Sequence, residues 1–296
     1  MGQNLKEVRN RISAVISTQQ ITKAMKMVAA AKLKKAQDAI TQMRPYAEKL
    51  HELLVNVLSS TEGDIASTFN DEREVKRVLV VVVTSNKGLC GAFNANIIKK
   101  ATQLIKDKYS DQLQSKAIVT ACIGKKGFDF FRKNYPQLKH VSDHVNLFDD
   151  LSFDNVTLLT NKLMKRFDLG IYDSIEVVYG RFKNAAIQTP IATQLLPVAM
   201  DDTPLEGNVK ADYIFEPEKS KLLEELIPGI LRVQFQSYLL DTNASEQGAR
   251  MTAMEMATEN ANDLLKELRL SYNKARQESI TGELLEIVSG AQALEG

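Results

Sequence analysis

The stretch Leu5–Ile40, LKEVRNRISAVISTQQITKAMKMVAAAKLKKAQDAI, decides the fold class, because alternate steps of three and four residues through it stay in one lane. From Leu5 the lane runs through Val8, Ile12, Val15, Gln19, Thr22, Lys26, Ala29, Leu33, Ala36 and Ile40, then Met43, Ala47, Leu50, Leu54 and Val57; thirteen of these sixteen positions are apolar. That is a heptad seam, and it predicts a long helix with one dry face. The three polar positions, Gln19, Thr22 and Lys26, are consecutive. There either the partner changes or the seam meets something other than an apolar helix. Pro45 removes one backbone hydrogen bond and predicts a bend nearby.

The opposite end of the chain carries a seam of the same kind. From Ile230 it passes Val233, Ser237, Leu240, Ala244, Gln247, Met251, Met254, Thr258, Ala261, Leu265, Leu268, Tyr272 and Ala275, eleven of fourteen apolar. The apolar stripe then slips to Ile280, Leu284, Ile287 and Ala291. Glu218–Ile227 reads as a separate short helix, with Pro228 in the first turn of the main one. Two terminal helices of matching type keep their seams dry by packing antiparallel as an intramolecular coiled coil. The last turns of the second helix outrun the first, which leaves Ile280, Leu284, Ile287 and Val288 in need of a partner.

Between the rods the hydrophobic period changes from helical to alternating. Val75–Thr84 and Ala117–Ile123 read as buried strands, each followed by helical pattern at Asn94–Tyr109 and Lys126–Tyr135. A helix over Phe153–Phe167 precedes strands at Ser174–Phe182 and Thr189–Met200. The expected fold is α/β: a long antiparallel coiled coil of N- and C-terminal helices with an inserted Rossmann-like domain and a largely parallel sheet. The expected divisions are an N-terminal helix over 1–58, a linker over 59–72, an α/β foot over 73–208 and a C-terminal helix over 209–296.

Composition excludes several function classes. The 296 residues hold 38 Lys+Arg against 37 Asp+Glu, a formal net charge of +1, without the basic footprint of a nucleic-acid binder. Two cysteines do not make a disulfide scaffold. No run approaches the roughly 20 apolar residues of a membrane span, and MGQNLKEVRNR lacks the apolar core of a secretory signal.

The segment most like an active site is Thr84–Asn94, TSNKGLCGAFN, between a strand and a helix where phosphate loops sit. It contains neither G-x-x-x-x-G-K-[ST] nor G-x-G-x-x-G. Its glycines read as turn formers, and Cys90 as a buried thiol. His140 and His144 flank Asp143 but lie in strand and loop pattern, short of the three or four ligands that zinc needs. No catalytic residue, cofactor site or metal site is expected. The charge pattern says more: Lys6, Arg9, Arg11, Lys23, Lys26, Lys32, Lys34 and Lys35 face only Glu7 in the first 35 residues. Concentrated charge in a neutral chain points to an acidic partner ring or sleeve.

Four segments then carry a specific resemblance: Ile21–Leu33 (ITKAMKMVAAAKL), Thr84–Asn94, Ser245–Asn260 (SEQGARMTAMEMATEN) and Ile280–Ala293 (ITGELLEIVSGAQA). Together they resemble the γ subunits of bacterial F-type ATP synthases, and the last fits that family's signature at Thr281, Glu283, Glu286, Gly290 and Ala291. The resemblance implies a central rotor shaft, a non-catalytic subunit of a proton-transporting ATPase. It would couple rotation of the c ring to ATP synthesis or hydrolysis at the β subunits. It implies α and β subunits, the ε subunit and the c ring as partners, and a peripheral position on the cytoplasmic side of the bacterial inner membrane, reached only through the complex. Carried over by position, Lys23, Met25, Lys26, Arg276, Gln277 and Thr281 would touch β. Leu284, Ile287 and Val288 would ride in an upper bearing, and Tyr213, Phe215 and Glu216 would face the c ring and ε. Cys90 and Cys122 do not match the thiol pair inserted in chloroplast relatives, so no dithiol switch is expected. The heptads alone would also permit an unrelated coiled-coil scaffold, and the position of Thr84–Asn94 a nucleotide-dependent α/β enzyme.

Overall fold

The computed structural model describes residues 5–59, 69, 73–198 and 219–295. Most of the expected linker, the 208/209 boundary and the residues Tyr213, Phe215 and Glu216 lie outside the described residues. The chain divides into two compact units, Met1–Ala29 with Met251–Gly296, and Ala30–Arg250. Helix α1 spans Leu5–Ser59 and α6 spans Lys219–Glu295.

In the first unit the two terminal helices pair antiparallel. Arg9 donates to Tyr272, Gln19 to Asn262, and Lys26 to Glu255, while the hydroxyls of Thr22 and Thr258 meet at 2.8 Å. The paired residue numbers sum to 280 or 281 at every level, as a single antiparallel register requires. The lane read from sequence is the buried one: Val8 and Ala29 are buried, as are Met254, Ala261 and Leu265 opposite. At the polar layers the seam does not leave its partner, because α6 answers it with Asn262, Thr258 and Glu255. Beyond Ala275 the apolar stripe leaves the buried lane, as expected. Ser279 and Gly282 continue the half-buried lane, and Ile280, Leu284 and Ile287 stay exposed.

The second unit holds a five-stranded sheet in the order β3-β2-β1-β4-β5, where β1 is Val78–Val83, β2 Ile118–Ile123, β3 Lys139–Val141, β4 Ser174–Phe182 and β5 Gln188–Leu196. The first four are parallel, and β5 runs antiparallel beside β4. Strand β1 is buried on both faces, as its uninterrupted VLVVVV run demands. Its even positions, Val78, Val80 and Val82, enter a core with α2 (Phe93–Lys108) and α4 (Lys125–Asn134). Its odd positions, Leu79, Val81 and Val83, enter a second core with α5 (Phe153–Asp168) and the Ile227–Leu239 part of α6. A short helix α3 (Ser110–Gln114) leads into β2. Strand β5 ends at Leu196, and the expected strand end at Met200 lies outside the described residues.

Pro228 overturns one expectation. Instead of separating a short helix from the main one, it lies inside a single helix α6. A helical proline forfeits one hydrogen bond and strains the preceding turn. Here Ile227, Leu231, Phe235, Tyr238 and Leu239 are buried in the sheet core around it, and that packing outweighs the loss. Pro45 is likewise accommodated within α1.

Candidate functional site

The order β3-β2-β1-β4-β5 puts a reversal of winding between β1 and β4. In open α/β sheets a ligand binds in the crevice outside the carboxyl ends of the strands at such a point. In this chain its own helix α6 fills that crevice. The Gly180 N–H of β4 donates to the Thr242 hydroxyl at 3.3 Å, and the Ser245 hydroxyl donates back to the Gly180 carbonyl at 3.0 Å. A Cβ on Gly180 would stand 2.8 Å from the Phe93 ring, so only glycine admits so close an approach.

The loop Thr84–Asn94 is a clamp on the same helix. Asn94 accepts from the Ser85 N–H at 3.0 Å and donates to the Ser85 hydroxyl at 2.7 Å and to Cys90 Sγ at 3.2 Å. These bonds turn the loop's carbonyls outward, where Arg250 of α6 donates to Lys87 O at 3.2 Å and Gly88 O at 3.3 Å. Arg250 also pairs with Glu246 at 2.7 Å, with both side chains nearly buried. Burial raises the Glu246 carboxyl, and Arg250 and Lys32 pull it back. The Thr84 hydroxyl accepts from Gly127 N at 2.9 Å, and Gly124, at φ 98°, has its α-carbon face against the Thr84 carbonyl. A phosphate cradle would leave N–H groups pointing at open space; this loop presents carbonyls to a cation of its own chain.

Sequence reading did not find Gly124, Gly127, Gly180, Thr242, Ser245 or Arg250 as parts of one clamp. The spacing G-K-K-G at 124–127 was the only local signal, and the rest are long-range contacts. The other chemical candidates are spent on structure. His140 bonds Thr120 through Nδ1 at 2.6 Å and the Tyr135 carbonyl through Nε2 at 3.0 Å. Both cysteines are buried, and burial pushes the Cys122 thiol up to about 12.

The surfaces expected to meet partners lie on the helix pair. Lys23 is exposed and Met25 half-buried, while Lys26 is ion-paired to Glu255. Arg276, Gln277 and Thr281 are exposed some 20 residues farther along α6, about 30 Å from Glu255 at 1.5 Å per residue. The six therefore do not form one patch but two, at different levels of the helix pair. Leu284, Ile287 and Val288 are 57%, 68% and 54% exposed, beyond the reach of α1 in this register.

Known proteins share this plan. A family model described as ATP synthase matches residues 4–294. The ATP synthase gamma chain of Cytophaga hutchinsonii is 50% identical over 293 residues, covering 98% of this chain and 99% of that protein. That of Flavobacterium johnsoniae is 52% identical over 296 residues, covering 99% of both. Among solved structures, the central stalk and c-ring of the Tetrahymena thermophila mitochondrial ATP synthase contains a chain with 26% identity and a TM-score of 0.55, covering 80% of this chain and 99% of that one. A chain of the Euglena gracilis mitochondrial enzyme, at 21% identity, shares the fold with a TM-score of 0.66 over 98% of this chain and 94% of that one. With two heptad helices in one antiparallel register, an α/β sheet whose ligand crevice is closed by its own helix, and relatives matching end to end, this chain belongs to the ATP synthase gamma chain family.

Proposed function

We propose that this chain turns as the shaft of a bacterial F-type ATP synthase, with its helix pair inside a hexamer of α and β subunits and its α/β unit toward ε and the c ring. The reading also takes the complex to sit on the cytoplasmic face of the inner membrane; among the described residues no helix is long and apolar enough to cross a membrane. The observation that carries it is the exposed apolar end of α6, where Leu284, Leu285, Ile287 and Val288 are all more than half exposed. Four large apolar side chains on one solvated helix end are stable in water only at a cost, and a surrounding sleeve removes it.

In this role the shaft performs no bond-making step. It presents different side chains to each of three equivalent β subunits, and a differential contact is what shifts an equilibrium among open and closed states. Lys23, Met25 and Lys26 would form one contact level with β, and Arg276, Gln277 and Thr281 another. Leu284, Ile287 and Val288 would run in the bearing, and Tyr213, Phe215 and Glu216 would meet ε and the c ring.

The test uses the full chain mixed with α and β subunits. Lys133 is exposed on α4 and both native thiols are buried, so Lys133→Cys takes a reporter selectively. Stepwise rotation of that reporter under MgATP, absent when the chain is crosslinked to β, is expected. Hydrolysis of MgATP at full rate with the reporter stationary would overturn the reading.

A further inference from the structure

Helix α1, the β4–β5 hairpin and α6 enclose an open cleft of about 820 Å3, within the size range of small-molecule sites. Three elements bring cations to it: Arg44 from α1, Arg181 from β4, and Lys183 from the turn. None of the three side chains makes a hydrogen bond or ion pair among the described residues, although six other Lys or Arg side chains of the second unit are ion-paired or bonded to backbone carbonyls, as Lys108 is to Glu176 and Arg250 to Lys87 and Gly88. The remaining lining is largely apolar, with Ile40, Met43 and Phe182. Nothing in the shaft's proposed contacts uses these residues.

We propose that this cleft binds an organic polyanion of nucleotide size, with its phosphate groups on Arg44, Arg181 and Lys183 and its apolar body against Ile40, Met43 and Phe182. Two guanidiniums offer the planar paired donors that match phosphate and carboxylate oxygens. An acidic peptide spreads single carboxylates along a chain, whereas three cations converging on one compact cleft suit charge gathered on one head group.

Asp241 of α6 also lines the cleft, and its carboxylate has no hydrogen bond or ion pair among the described residues. The charged groups facing it are Arg44 from α1 and Arg181 from β4, with the Tyr179 phenol of β4 beside it and Lys183 at the cleft rim. Burial raises its carboxyl to about 6 against the pull of both arginines. Above that pH its negative charge opposes an anion; below it the opposition is gone. The site therefore binds more tightly on acidification.

Calorimetric titration of the full chain tests this with two probes: ADP for affinity, and naphthalene-1,5-disulfonate, whose charge is fixed, for pH dependence. ADP binding is expected, weakened about tenfold by Arg181→Gln and by Lys183→Gln, both exposed side chains whose loss leaves the fold intact. Disulfonate affinity is expected to rise severalfold from about pH 8 to about pH 5.5, and to lose that dependence in Asp241→Asn. Absence of binding by both probes, equal binding by the parent and both cation variants, or saturation by a glutamate-rich peptide alone would overturn the proposal. A pH dependence surviving in Asp241→Asn would overturn the part given to Asp241. Rotation of the reporter at Lys133→Cys is independent of all these outcomes.

Discussion

Thr22 of α1 and Thr258 of α6 meet hydroxyl to hydroxyl at 2.8 Å in the middle of the helix pair. Each hydroxyl also has a carbonyl of its own helix in reach, Gln19 O at 3.0 Å for Thr22 and Met254 O at 2.7 Å for Thr258, so the contact across the seam forms when one of the two turns its single proton to the other. With Gln19–Asn262 and Lys26–Glu255 on either side, three successive layers match polar to polar only in this register. A slide of one heptad would set Thr22 against Leu265 or Met251. Removing one hydroxyl takes away the cross-seam partner and leaves the other only the carbonyl of its own helix, so Thr22→Val and Thr258→Val are each expected to cost about 1 kcal/mol, and the double variant less than the sum. Denaturant midpoints over the four-member cycle check it; additive costs would show that the hydroxyls do not act as a pair.

Gly180→Ala places a methyl 2.8 Å from the Phe93 ring in the filled crevice. Overpacking at such a point costs about 1–3 kcal/mol, and Phe93→Leu, which removes the ring edge, should recover part of it. The same denaturation measurement reads both. A neutral Gly180→Ala would mean that α2 shifts freely, contrary to the buried contacts of Phe93 and Ile97.

The helix pair and the sheet were legible in sequence because both rest on local periodicity. Val8, Ala29, Leu33 and Ala36 are buried where the heptad puts them, and VLVVVV is a central strand because β-branched residues fill both of its faces. The run of α6 through Pro228 was not legible, since the cost of a proline is local while its compensation comes from Phe167, Ile175 and other core residues far away in the chain. The clamp on Thr84–Asn94 was hidden for the same reason: Arg250 lies 163 residues from Lys87. The end of α6 was legible as well: the apolar stripe at Ile280, Leu284 and Ile287 leaves the lane, which Ser279 and Gly282 continue, and its side chains are exposed. An apolar stripe beyond the end of its own partner helix is information about some other partner.

Asp241 gives a pH signature of stability. Its carboxyl is raised to about 6 from 3.8, so the folded state binds the proton more tightly than the unfolded one. The penalty of the buried charge is fully present above about pH 6 and is relieved as pH falls toward about 4. Asp241→Asn is therefore expected to stabilise the protein at neutral pH by about 1–2 kcal/mol after allowance for screening, with the gain over the parent vanishing near pH 4. A gain independent of pH would assign the effect to packing instead of charge.

Met25 lies half-buried beside exposed Lys23 and the Lys26–Glu255 pair, on a stretch already rich in positive charge. In the proposed role, Met25→Lys would add a cation facing a surrounding β subunit, outside the seam lane of α1. An extra strong contact at one angle of the shaft deepens one rotary state relative to the others. ATP-driven proton pumping per ATP hydrolysed is expected to fall in the variant complex. An unchanged ratio would contradict it.

The end of α6 separates assembly from folding. Leu284 and Ile287 are more than half exposed, so Leu284→Asp with Ile287→Asp removes little that the isolated chain uses, and its stability is expected to change by less than about 0.5 kcal/mol. Placed inside an apolar bearing, the same two carboxylates would be desolvated without partners, at a cost of several kcal/mol. The yield of intact complex with α and β subunits should therefore collapse while the melting curve of the free chain stays put, and a chain truncated after Ser279 should behave in the same way. Normal assembly of either variant would mean that this helix end stays in water within the complex, and the bearing would have to be sought on another face of the pair.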